Sequence, residues 1–132
     1  MNRTSLGALG LLLVLLLANT FAFIDRQVIS LLVDPIRSTI GATDIEMGLL
    51  QGLAFALLFV VFGLPAGRMV DTHNRKIILA GGIIIWSAAT VTCGIMGSFA
   101  GLFVARIFVG VGEATLAPAA YSMIADRFDK KA

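Results

Sequence analysis

Charged residues are almost excluded from long stretches of this chain. Residues 6–24, 47–67 and 77–105 carry none, and the third run is interrupted by Gly97-Ser98. A hydrocarbon layer about 30 Å thick is crossed by roughly 20 apolar helical residues. The pattern predicts four membrane helices, at about 6–33, 45–67, 77–96 and 99–125. Pro35 ends the first, because proline has no N–H to donate and disfavours helix at Asp34. Residues 34–45 read as a polar loop with Asp44 as the cap of helix two, and 68–76 as a charged loop. The first helix is long for one span and is expected to tilt or project beyond the lipid.

Composition agrees. Of the 132 residues 58% are hydrophobic and 14% charged, against about 25% charged in soluble domains. A cleaved signal peptide is a competing reading of Leu6–Leu17, but no small-x-small cleavage site follows, and further spans do. Cys93 is the only cysteine and His73 the only histidine. That leaves no intrachain disulfide and no Cys-based metal site, and Cys93 reads as a small packing residue. No Ser–His–Asp set or phosphate-cradling loop is visible, and Gly110-x-Gly112 follows no strand. An enzyme, a bound cofactor and a nucleic-acid partner are therefore not expected.

Basic residues are distributed unevenly. Arg3, then Arg68, Arg75 and Lys76, then Arg127, Lys130 and Lys131 share one side of a four-span chain; only Arg37 lies on the other. The positive-inside rule places both termini in the cytoplasm of a multi-pass cell (inner) membrane protein. Gly48, Gly52 and Ala56, then Gly63 and Gly67, recur at four-residue spacing in helix two; helix four carries Gly101, Gly110 and Gly112. Small residues at such spacing allow close helix contacts in lipid.

Four ionisable residues fall inside the spans: Asp25, Arg26, Arg106 and Glu113. Each costs roughly 2.5–3.5 kcal/mol on insertion scales, so such groups face a bundle interior or wet cavity and pair. At about 1.5 Å rise per residue, Asp25 and Arg106 lie at similar depth outside the centre. Glu113 lies near the midplane, level with Asn19 and Thr20. Arg106 and Glu113 are seven residues apart and share a face. The functional reading is a polar track toward a central cavity, with Glu113 able to take up and release a proton. The structural reading is an ion-pair set that fixes helices one and four. Arg26 could instead snorkel to the outer interface.

The segment Gly67-Arg68-Met69-Val70-Asp71-Thr72-His73-Asn74-Arg75-Lys76 resembles the loop between helices two and three of the major facilitator superfamily. That signature reads G-x-x-x-D-(R/K)-x-G-x-(R/K)-(R/K). Gly67, Asp71, Arg75 and Lys76 match it, whereas Thr72 and Asn74 depart from it. Ala18–Gln27, Gly48–Ala56 and Ala105–Ala114, with Pro118 and Ile124-Ala125-Asp126 after them, are similar to helices one, two and four of spinster-like transporters. Organic-anion symporters of the superfamily share parts of this pattern.

The resemblance implies an all-α fold of twelve membrane helices in two halves that rock around a central site, of which this chain would be the N-terminal four-helix portion. It implies a cytoplasmic gate of Gly67, Asp71, Arg75, Lys76 and Asp126. It also implies a cavity lined by Asp25, Arg106 and Glu113, with Asn19 beside them. The implied partners are the bilayer, a small amphipathic or anionic substrate such as a lysolipid, a proton, and the remaining helices of the fold. Two alternatives remain at this point: a four-helix small multidrug transporter acting as a dimer, and a non-transporting membrane subunit.

Overall fold

The computed structural model describes residues 3–128, which form helices joined by short connections, with no strand among them. Lys130 and Lys131 of the C-terminal basic group lie outside the described residues. Seven helical segments build four membrane-length spans, Ser5–Leu31, Asp44–Thr72, Arg75–Ile95 and Phe99–Phe128. The segments are α1 (Arg3–Leu31), α2 (Val33–Ile40), α3 (Asp44–Gln51), α4 (Leu53–Thr72), α5 (Arg75–Ile95), α6 (Phe99–Ala114) and α7 (Leu116–Phe128).

Three local features differ from the sequence reading. Residues 33–40 form a helix, not a loop. Pro35 sits in the first turn of α2, where its missing N–H costs nothing. Gly41 then ends α2 in the left-handed conformation at φ 67°, its N–H donating to the Arg37 carbonyl. Asp44 is not the cap of the second span. Thr43 takes that role through reciprocal bonds: Glu46 N–H donates to Thr43 Oγ1 at 3.2 Å, and Thr43 N–H donates to Glu46 Oε2 at 2.9 Å. The Thr-x-x-Glu spacing satisfies two free helix donors at once, which one aspartate cannot do. Thr43→Ala should therefore cost about 0.5–2 kcal/mol in detergent unfolding; an unchanged midpoint would mean the cap contributes nothing. Finally, residues 68–76 are mostly helical: α4 continues to Thr72 and α5 begins at Arg75, leaving His73 and Asn74 as the connection.

Two spans are bent. The second changes direction at Gly52, although Gly52 N–H still reaches the Gly48 carbonyl and Ala56 N–H reaches that of Gly52. The fourth breaks at Thr115, whose hydroxyl donates to the Gly112 carbonyl at 2.8 Å. Pro118, three residues on, removes a further ladder N–H.

The fourth span is the centre of the bundle, half buried where the others are 12–22% buried. α6 packs most extensively on α5, then on α4. The contact with α5 depends on two glycines. A Cβ at Gly112 would lie 2.6 Å from the Gly82 carbonyl and 2.7 Å from the Trp86 nitrogen; one at Gly82 would lie 1.9 Å from Thr115 Oγ1. By contrast, Gly48, Gly63 and Gly67 have nothing within 4 Å of a built Cβ, so no close helix approach in the described chain requires glycine at those three positions. Leu15, Ala18 and Ala22 of α1 join Trp86, Val109 and Ala119 in the main core. Many other apolar side chains of α1, α4 and α5, among them Leu13, Phe21, Val60, Leu64 and Ile84, are exposed, as a surface facing lipid would be.

Candidate functional site

The four charges within the spans form two crossed pairs between the first and fourth spans. Arg106 Nη1 donates to Asp25 Oδ2 at 3.3 Å, and Arg26 Nε donates to Glu113 Oε2 at 2.9 Å. Adjacent residues of α1 thus carry opposite charges, and each meets its complement on α6. A helical side chain leans toward its own N-terminus. That lean, along a long guanidinium side chain, lets Arg26 reach back from its outward position to the deeper Glu113, and it does not snorkel away.

Each arginine also lies over a phenyl ring of α4. Arg106 Cζ is 5.0 Å from the Phe55 centroid, and Arg26 Cζ is 5.5 Å from that of Phe59. Both distances suit attraction between a cation and the ring face. The two rings are four residues apart, one turn of the same helix face. Asp25 receives two more donors from α5: Trp86 Nε1 at 3.3 Å and Thr90 Oγ1 at 3.5 Å. Trp86 and Thr90 are also one turn apart, so a single face of α5 holds the carboxylate.

Exposure separates the pairs. The Arg106 side chain is 6% exposed and that of Asp25 15%; the Glu113 side chain is fully buried, while that of Arg26 is 46% exposed. Two buried polar atoms keep no hydrogen-bond partner among the described residues, Arg106 Nε and Glu113 Oε1. A lone buried donor and a lone buried acceptor cost free energy unless water or a ligand completes them. Asn19 does not join the cluster. It is exposed, on the same stripe of α1 as Arg26 seven residues later.

The gate residues are only partly assembled. Arg75 bridges from the start of α5 to α7, donating to Asp126 Oδ2 and, at 3.2 Å, to the Ser122 carbonyl. Asp71 and Lys76 are exposed, and neither side chain forms an ion pair among the described residues; at half-buried Gly67 a Cβ would meet nothing within 4 Å. A cavity of about 660 Å³ lies at this end, between His73–Lys76, Met123 and Asp126–Phe128, with Ala8 and Leu11 as part of its wall.

The match to known proteins bears on all of this. Residues 15–132 fit the model of the Major Facilitator Superfamily. The chain belongs to that superfamily. Within it, the chain is of the spinster-like type. A crystal structure of a bacterial homologue of the human lysosomal transporter Spinster, inward-facing and occupied, superposes with a TM-score of 0.81 at 40% identity, over 92% of this chain and 25% of that one. The sphingosine-1-phosphate transporter SPNS2 of Xenopus tropicalis is 34% identical over 98% of this chain and 25% of its own length. An MFS-type efflux pump of Mycolicibacterium smegmatis is 30% identical over 96% of this chain and 29% of its own length. The probable L-galactonate transporter of Escherichia coli is 29% identical over 91% of this chain and 26% of its own. This spinster-like chain thus spans about a quarter of the length of the relatives it matches, between 22% and 29%. The family decides against the small multidrug reading, and the membrane-length helices make the chain part of a multi-pass membrane protein.

The residues that sequence reasoning missed are supporting ones. Phe55, Phe59, Trp86 and Thr90 are ordinary residues for a membrane helix. Their only signal is the repeated four-residue spacing, and nothing along the chain shows which charge each would meet.

Proposed function

We propose that this chain supplies part of the substrate and proton machinery of a secondary transporter for an amphipathic organic anion of the lysolipid kind, working by alternating access. The observation that carries the reading is the pair of crossed Arg–carboxylate bridges with an unused Arg106 Nε and an unused Glu113 Oε1. An anionic head attracted to a guanidinium forms charge-assisted hydrogen bonds. The apolar flank and the Phe55 and Phe59 rings suit a hydrocarbon tail. Asp25 and Glu113 compete with such a head for Arg106 and Arg26. Substrate entry and carboxyl protonation therefore favour one another, which is the linkage a coupled transporter needs. The uneven distribution of Lys and Arg supports placing the His73–Asn74 connection and both termini on the cytoplasmic side, with α2 outside. The Arg75–Asp126 bridge would then belong to the cytoplasmic gate with Gly67, Asp71 and Lys76.

The test is flux in proteoliposomes that contain the whole gene product carrying this chain. Sphingosine 1-phosphate and lysophosphatidate are supplied as amphipathic anions, and L-galactonate as a tail-less one. Glu113→Gln should abolish the response to an imposed pH gradient while leaving exchange measurable. A Glu113→Gln protein that still follows the gradient would sink the proton assignment. Flux of galactonate without either lysolipid would sink the substrate assignment.

A further inference from the structure

The Asp25–Arg106 pair has a second side. Away from Phe55, a cavity of about 320 Å³ lies between α1, α2, α5 and α6. Asp25, Thr90, Cys93 and Arg106 form part of its lining, together with Ile36 and Thr39 of α2. Arg26, Phe55, Phe59 and Glu113 take no part in it. The cavity therefore reaches the pair independently of the face assigned above to substrate. α2 is the short helix between the first two spans, so the cavity belongs to that end of the bundle.

Much of the wall is apolar, but polar groups converge on one region. Arg106 is 5% exposed, and its Nε has no partner among the described residues. Asp25 offers two carboxylate oxygens, and Thr90 a hydroxyl only 3.5 Å from one of them. An ordered water needs several polar partners and enough room, and this space would hold about ten waters at roughly 30 Å³ each. Water in this space would offset the cost of holding the Asp25–Arg106 ion pair away from solvent.

We propose that this cavity is a hydrated access route. It connects the Asp25–Arg106 pair to the aqueous phase on the α2 side of the membrane, and it admits water and small hydrophilic ions. The pair is wetted from that side whether or not the Phe55–Phe59 face is occupied.

Cys93 makes the route testable, because it lies in the lining and is the only cysteine of the chain. A thiol reacts as its thiolate, which forms readily only where water reaches. The chain would be expressed in sealed membrane vesicles and treated from either side with a charged, membrane-impermeant methanethiosulfonate. Two reference variants in a Cys93→Ala background, Ser38→Cys in α2 and His73→Cys in the opposite connection, define the sides. The expected result is modification of Cys93 from the side on which Ser38→Cys reacts. Thr39→Trp, which adds bulk at the α2 lining, should slow it several-fold with no change in the melting temperature. Reaction with a membrane-permeant maleimide alone would overturn the proposal, as would reaction from the His73→Cys side alone. Equal rates in wild type and Thr39→Trp would remove the route past α2. No readout involves flux, so the outcome is independent of the transport assignment.

Discussion

Asp25→Leu should unfold at much lower denaturant than the unmodified chain, by an amount worth about 3–5 kcal/mol. The reason lies in its partner. Arg106 is 5% exposed, so removing Asp25 leaves a largely buried guanidinium without its ion-pair partner, beside the Phe55 ring at 5.0 Å. The paired substitution Asp25→Leu with Arg106→Leu should recover most of the loss. Apolar residues often replace a buried pair at little cost, whereas breaking one is costly. Measured as a double-mutant cycle in detergent, the two single effects should be far from additive. Additive effects would show that the bridge contributes no coupling. In that case Trp86 and Thr90 would be holding Asp25 for another reason.

The second large effect concerns packing. Gly112→Val should lower stability by at least about 1–3 kcal/mol, the usual range for overpacking. Its neighbours here are backbone atoms, the Gly82 carbonyl and the Trp86 nitrogen, which cannot rotate away. The helices must part. Trp86 donates to Asp25 at 3.3 Å and is the only tryptophan of the chain, so its fluorescence should shift to the red as the contact opens. Gly81→Ala is the control: a Cβ there meets nothing within 4 Å, and helix propensity favours alanine. A Gly112→Val protein with unchanged melting and emission would mean that α5 and α6 approach less closely than the structure has them.

The four spans were legible because lipid imposes a simple demand: backbone groups bond within the helix and charges stay out. The same demand made Asp25, Arg26, Arg106 and Glu113 conspicuous, and rise per residue put Asp25 and Arg106 at one depth, where the structure joins them. Partnership was harder to read. Depth arithmetic locates Cα atoms, and Arg26 reaches Glu113 only through a long side chain that leans back along its helix. The role of α2 was hidden because Pro35 signals a break equally well when it opens a new helix. Thr43 and Asp44 are both good caps, and only Glu46, three residues after Thr43, separates them. The glycine stripes of helix two and helix four looked alike in sequence. A stripe marks permission for close approach, and the neighbour that uses it comes from elsewhere in the chain. Gly112 finds Gly82, while Gly63 and Gly67 find nothing among the described residues.

The crossed bridges have a mechanical consequence. The backbone of α1 packs on α7, α2 and α3, and it reaches α6 through long side chains rather than through close backbone contact. To the packing of Leu15, Ala18 and Ala22 in the main core it adds an electrical grip on α6, made of two clasps of opposite polarity. Sliding α1 along α6 would bring like charges toward one another, so the register resists displacement in both directions. Discharging one clasp would leave the other, with the core packing of Leu15, Ala18 and Ala22, to hold that register. The register of the first helix is thus written in charge, and the loss of one charge would loosen it.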